Sequence, residues 1–168
     1  MSSIPKRIAV HADSKQATPT GWMNREMGVL LISPDETDWA ALTNMLLGSP
    51  WRLNWAKTLA HGARILEADI GMLWLVICER DLPDGSWKEA LGVVTQTASP
   101  PLLIVVSSLA DANLWSEVLH LGGFDVLAKP LEIKEVAWSL QGAWDRVSRT
   151  DHRKQRGPAS AKASTSGI

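Results

Sequence analysis

The sequence predicts an α/β protein built on a doubly wound parallel sheet, and three observations carry that expectation. Short apolar runs, too brief for helices, alternate with segments whose apolar residues follow helical spacing. Turn or cap residues separate them, and five such β-then-α units succeed one another between residues 28 and 147. Parallel strands need crossover connections, usually helical, so the alternation favours a sheet covered by helices on both faces.

The first run, Val29, Leu30, Leu31 and Ile32, is continuously apolar, as expected of a strand buried on both faces. Ser33, Pro34, Asp35 and Glu36 then match a capping box, with Ser33 as the cap and Pro34 as the first helical residue. Trp39, Leu42, Met45 and Leu46 supply that helix with an apolar face, and Gly48, Ser49 and Pro50 stop it. Residues 51–55 alternate apolar and polar side chains as a second strand. Leu59, Ala63 and Leu66 are spaced for a short helix, and residues 72–78 form a strongly apolar third strand.

Beyond the turn at residues 82–85, Trp87, Leu91 and Val94 mark a helix, and the β-branched run 102–106 a fourth strand. Leu114, Val118 and Leu121 mark the next helix, which Gly122 and Gly123 end. A short strand at 125–128 and a final helix carrying Val136, Leu140 and Val147 complete the fifth unit. The expected strand order is flavodoxin-like, 2-1-3-4-5, which places a site at the carboxyl ends of the strands, where strands one and three diverge.

Outside this core, residues 1–27 are polar and contain Pro5, Pro19 and Gly21, while residues 148–168 are rich in Ser, Ala, Lys and Arg. Both ends read as flexible tails, and a second folded domain is not expected. Lysine and arginine total 17 against 18 aspartates and glutamates, so net charge directs the chain to no nucleic acid or other charged partner. The basic run Arg149, His152, Arg153, Lys154 and Arg156 reads as a solvated tail. Without an apolar run long enough for a signal core or a membrane span, a cytoplasmic protein is expected.

The single cysteine, Cys78, excludes an internal disulfide and reads as an inert buried thiol. His11, His61, His120 and His152 show no metal-ligand spacing and are expected at the surface. Nine tryptophans against one phenylalanine and no tyrosine are unusual, and their spacing assigns most of them, Trp144 above all, to packing. Trp115 and Trp138 are expected to pack as well; if exposed, they become interface candidates.

Four chain positions converge on the predicted site: Ser33 to Asp35, Glu79, Ser107, and Lys129 with Pro130. The run Glu79-Arg80-Asp81-Leu82-Pro83-Asp84-Gly85 and the run ending Val126-Leu127-Ala128-Lys129-Pro130 together resemble the receiver (CheY-like) domain of bacterial response regulators. The resemblance covers nearly all of residues 28–147 and implies a role in two-component signalling. In that family an acidic pair after the first strand binds Mg²⁺, an aspartate after the third accepts a phosphoryl group, and a Ser or Thr and a Lys contact it.

Carried over residue by residue, the resemblance places Glu79 at the acceptor position and Ser107, Lys129 and Pro130 at the phosphate-contact and switch positions. The acidic pair is degenerate: it aligns with Ser33 and Pro34, or with Pro34 and Asp35 after a slip of one residue. At most Asp35 and Glu79 remain to hold a metal, so no Mg²⁺ and no other cofactor is expected. Glutamate is longer than aspartate by one methylene, and a misplacement of about 1 Å costs on the order of a hundredfold in rate. Lys129 is expected to pair with Glu79, since either charge left partly buried alone would be costly. The aromatic residue that reports switching in the family is replaced by Val126.

The leading expectation is therefore a non-enzymatic, atypical receiver that binds a protein partner, such as a histidine kinase or another two-component protein. The fourth and fifth helices could also pair two copies of the chain. Glu79 would then either mimic the phosphorylated aspartate, drawing Lys129 and Ser107 toward it, or form a structural ion pair. A second expectation is a conventional Mg²⁺-dependent phosphoacceptor using Asp35 or Asp81. A third, a flavodoxin-like ligand-binding protein, is weakened by the lack of a glycine-rich phosphate loop after the first strand.

Overall fold

In the computed structural model, which describes residues 27–69 and 71–155, the first apolar run forms β1 (Met27–Ile32), buried along its whole length. Helix α1 (Glu36–Met45), strand β2 (Trp51–Ala56), helix α2 (Leu59–Ala68) and strand β3 (Leu73–Glu79) follow. A small antiparallel hairpin, β4 (Asp81–Leu82) and β5 (Gly85–Ser86), leads into α3 (Trp87–Thr95). Strand β6 (Leu102–Ser107), helix α4 (Ala112–Leu121), strand β7 (Asp125–Ala128) and helix α5 (Ile133–Gln155) complete the order.

The main sheet has five strands in the order β2-β1-β3-β6-β7, with every neighbouring pair parallel. This is the predicted 2-1-3-4-5 arrangement; β6 and β7 are its fourth and fifth members because the hairpin intervenes. Sequence pattern read the hairpin only as a turn.

The period-two alternation of the buried strands divides the core. Leu30, Ile32, Val76, Cys78, Leu103 and Val105 pack toward α2, α3 and α4, with Leu66, Trp87, Leu91 and Leu114. Val29, Leu31, Leu75, Ile77, Ile104 and Val106 face the other way, against Leu42 of α1 and Val136, Leu140 and Ala143 of α5. Trp39 stacks on Trp55 with centroids 5.2 Å apart, and Trp144 lies against both Trp51 and Trp74. These rings extend the second core layer over the β2 edge.

The start of α1 departs from the predicted cap. Asp35, not Ser33, is the N-cap: its carboxylate accepts from the Thr37 N–H at 2.8 Å, and the helix begins at Glu36. Pro34 therefore precedes the helix and steers Ser33 toward extended backbone. Ser33 is buried, accepts from the Asp35 N–H at 3.1 Å and donates its hydroxyl to Asp38 Oδ2 at 2.8 Å.

The first and last elements run past residues 28 and 147. Met27 already belongs to β1, its N–H donating to Pro50 O at 3.0 Å. Helix α5 passes residue 147 and continues to Gln155, since no proline or glycine stands between Val147 and Gly157. The remainder of both predicted tails, including His11 and Arg156, lies outside the described residues.

Parallel strands end together, so Ile32, Glu79, Ser107 and Ala128 bring their following loops to one edge of the sheet. At the opposite end, a Cβ on Gly28 would stand 2.6 Å from the Met72 carbonyl oxygen, backbone that cannot swing aside. Gly28→Ala is expected to cost about 1–3 kcal/mol in urea unfolding. Gly92→Ala, in α3 where a Cβ meets nothing within 4 Å, is expected to stabilise by about 1 kcal/mol.

Candidate functional site

At the carboxyl edge of the sheet, the Lys129 ammonium faces three carboxylates. It stands 2.5 Å from Glu79 Oε2, 2.8 Å from Asp38 Oδ2 and 3.3 Å from Asp35 Oδ2. Glu79 is the last residue of β3, Lys129 follows β7, and the two aspartates sit at the start of α1. Only 16% of the Lys129 side chain, 14% of Glu79 and 4% of Asp38 is exposed, so the cluster is largely withdrawn from water. Asp35 forms the outer wall with 39% of its side chain exposed.

Backbone bonds fix each arm. The Lys129 N–H donates to Ser107 O at 3.0 Å, and the following peptide to Pro130 is cis, with Pro130 exposed. The Arg80 N–H donates to Val106 O, which holds the chain just after Glu79. The loop beyond β1 is tied down by Trp55 Nε1, donating to Ser33 O at 2.9 Å. Asp35 divides its oxygens, Oδ1 accepting from Thr37 and Oδ2 from Lys129.

The electrostatics follow from these contacts. Hydrogen bonds from the Thr37 hydroxyl and N–H, helped by Lys129, hold the Asp35 carboxyl below its ordinary range. Burial alone would lower the Lys129 pKa, but the bonds to Asp38 and Glu79 outweigh it and raise it. For Glu79, burial raises the pKa; Lys129 opposes this, and the charges of Asp38 and Asp35 add to it, leaving a net rise.

The residues singled out from the sequence are not all brought together. Glu79, Lys129 and Asp35 meet, whereas Pro34 and Pro130 are solvent-exposed and Ser33 touches the cluster through the Asp38 carboxylate and the Asp35 N–H, not through Lys129 or Glu79. Ser107 is buried, but its hydroxyl accepts from the Leu109 N–H at 3.1 Å, and no bond to Glu79 occurs among the described residues. Asp38 was missed. The available signal was its place on the apolar stripe, four residues before Leu42 and seven before Met45, where a charge demands a buried partner.

The loop aspartates are engaged elsewhere. Asp84 accepts from the N–H groups of Leu59 and Ala60, at 2.7 and 2.9 Å, and so caps α2 across the loop. Those bonds hold its carboxyl below the ordinary range. Asp81 is exposed, with Arg80 Nε 3.7 Å away. Cys78 is fully buried, and burial, with the neighbouring Glu79 charge, pushes its thiol pKa well up. His61 and His120 are at the surface.

Asp35 and Glu79, weighed from sequence as a weak metal pair, meet around Lys129. Magnesium takes oxygens at about 2.0–2.1 Å in near-octahedral array. The distances here are those of hydrogen bonds to an ammonium, whose nitrogen occupies the point on which the three carboxylates converge. The residues present thus fit an ammonium.

A second surface lies on α4, β7 and α5. Trp138 is 82% and Trp115 51% exposed, contrary to the packing expected of them, whereas Trp144 does pack. The two exposed rings flank a cavity of about 720 Å³ that also takes in Phe124, Val126, Asp111 and Glu135. Their helices turn the intervening positions inward: Leu114 and Val118 in α4, and Val136 and Leu140 in α5, fill the core.

No family model matches the chain, and no curated protein matches it by sequence. Solved structures do. The receiver domain of a response regulator from Clostridium thermocellum superposes with a TM-score of 0.67 at 18% identity, covering 74% of this chain and 98% of that one. The signal receiver domain of an HD domain-containing protein from Pseudomonas fluorescens gives 0.67 at 21%, covering 86% and 100%. The receiver domain of a sensor histidine kinase from Pseudomonas aeruginosa, with magnesium coordinated in its active-site cleft, gives 0.59 at 19%, covering 68% and 94%. The chain therefore has the receiver fold.

Because the folded-state pKa of Glu79 lies above its ordinary value of 4.5, ionising this carboxyl works against the fold. Below that value both folded and unfolded chains hold the proton, and nothing is lost. As pH rises toward the folded pKa, stability falls. Glu79→Gln keeps an acceptor for Lys129, which retains Asp38 and Asp35, and removes this loss. In urea unfolding from pH 3.5 to 8, the variant is expected to gain on the parent as pH rises above about 4.5, then level off. A constant difference across the series would contradict the assignment.

Proposed function

We propose that this chain is a non-enzymatic, receiver-type signalling module that acts through protein contacts and takes up no phosphoryl group at Glu79. The observation that carries the reading is the shared ammonium: Glu79 ends β3 already bound to Lys129, which also serves Asp35 and Asp38. One oxygen, Oε2, is held in this way, and the extra methylene of glutamate displaces the other from where an acceptor aspartate would present it, a misplacement that lowers the rate steeply.

The fold shared with response-regulator and histidine-kinase receiver domains supports two-component signalling as the setting, and a cytoplasmic location is part of this proposal. No helix among the described residues is long and apolar enough to cross a membrane. The partner is read as a histidine kinase or another two-component protein, meeting the exposed Trp115 and Trp138 face; a second copy of the chain could pair there too.

Of the two roles for Glu79, the structural ion pair is favoured. A phosphate mimic would have to draw Ser107 as well as Lys129, and the Ser107 hydroxyl is turned to the Leu109 N–H. The conventional phosphoacceptor reading has little support, since Asp35 is committed to Thr37 and Lys129. Magnesium, recorded in the Pseudomonas aeruginosa receiver domain, is not needed by a module of this kind.

Incubating the chain with acetyl phosphate and MgCl₂, followed by intact-mass measurement, is expected to leave the mass unchanged. Gain of one phosphoryl group would overturn the reading, and its loss on Glu79→Gln, Asp35→Asn or Asp81→Asn would identify the acceptor.

A further inference from the structure

The cation at the centre of the site is covalently part of the chain. We propose that the Lys129 ammonium is the resident cation of this site, holding Asp35, Asp38 and Glu79 together in place of a divalent metal ion. The inference rests on the signalling reading above and deepens it, by assigning what the acidic site holds.

Stoichiometry is the first support. A lysine ammonium offers three N–H donors and no acceptor. Carboxylate oxygens of three residues lie within 3.3 Å of Nζ, so donors and acidic partners are matched in number. The second support is connection. Asp35 and Asp38 belong to the start of α1 and Glu79 to the end of β3, while Lys129 arrives from β7. One cation thus ties three separate segments, the task a coordinated metal performs.

Position and charge supply the third support. Nζ sits at the focus of the acids, and the Lys129 backbone is fixed by its bond to Ser107 O. A metal ion at that focus would need oxygens at about 2.0–2.1 Å and would stand against the ammonium, like charge on like charge. Asp38 is further held by the Ser33 hydroxyl, so its carboxylate is not free to swing toward a second cation. Removing the ammonium reverses the balance, since three converging carboxylates without a cation repel one another and attract one from solution.

The test compares the full chain with Lys129→Ala, which deletes the ammonium and opens its space. MnCl₂ binding is followed by water-proton relaxation and MgCl₂ binding by calorimetry, with circular dichroism recording the fold. The unsubstituted chain is expected to show no saturable binding at millimolar metal. Lys129→Ala is expected to gain one site, at least about tenfold tighter than anything in the parent. Adding Asp38→Asn should abolish it. If Lys129→Ala is unfolded without metal, recovery of its dichroism on adding MnCl₂ is the expected result.

Saturable binding by the unsubstituted chain that Asp38→Asn removes would overturn the inference. So would a Lys129→Ala protein that neither binds metal when folded nor regains its fold with it. Either failure leaves the phosphoryl reading intact, because that reading is decided by mass and not by metal binding.

Discussion

A single positive charge makes the carboxyl edge of this domain tolerable. A doubly wound parallel sheet ends its strands together, so whatever acids follow them are crowded into a partly dry pocket. Here they are Asp35, Asp38 and Glu79, and without compensation their mutual repulsion would oppose closure of α1 onto the sheet. The Lys129 ammonium faces all three. The positive end of α1 adds a smaller favourable term for its own first-turn acids, Glu36 and Asp38.

This arrangement joins fold and function. The core layers on either face of the sheet set the backbone positions of Glu79 and Lys129, and the bonds Lys129 N to Ser107 O and Arg80 N to Val106 O hold those positions. Once the side chains meet, the edge is closed by charge pairing, and the loop after Glu79 is secured separately by Asp84 at the start of α2. What remains open is the tryptophan-flanked face of α4, β7 and α5. The acidic edge is thus engaged internally by one shared cation, while the tryptophan-flanked face is exposed.

The fold was legible because each of its rules is local. Apolar runs, cap residues and turn signals spaced Val29 to Ile32, Leu102 to Val106 and their helices, and connection rules supplied the sheet order. The acidic cluster was legible only in part. Glu79 and Lys129 lie at strand ends, where sequence reasoning looks for chemistry, but Asp38 lies inside a helix and its partner is far along the chain. The same non-locality hid the Asp84 cap on α2. The Ser33 cap was misplaced because Asp35, closer to the first free N–H groups, competes for the same role and leaves Ser33 to Asp38. Trp115 and Trp138 were assigned to packing by their helical spacing, yet their helices turn Leu114, Val118, Val136 and Leu140 inward instead.

Lys129 and the helix-borne acid Asp38 should be energetically coupled, with Glu79 and Asp35 sharing the same charge. A double-mutant cycle with Lys129→Met and Asp38→Asn, read by urea unfolding at neutral pH, measures that coupling directly. Residues in one ion network couple by about 0.5–3 kcal/mol. The double variant is expected to lose less stability than the two single losses added together, by at least about 1 kcal/mol. Additive losses, within about 0.3 kcal/mol, would contradict it.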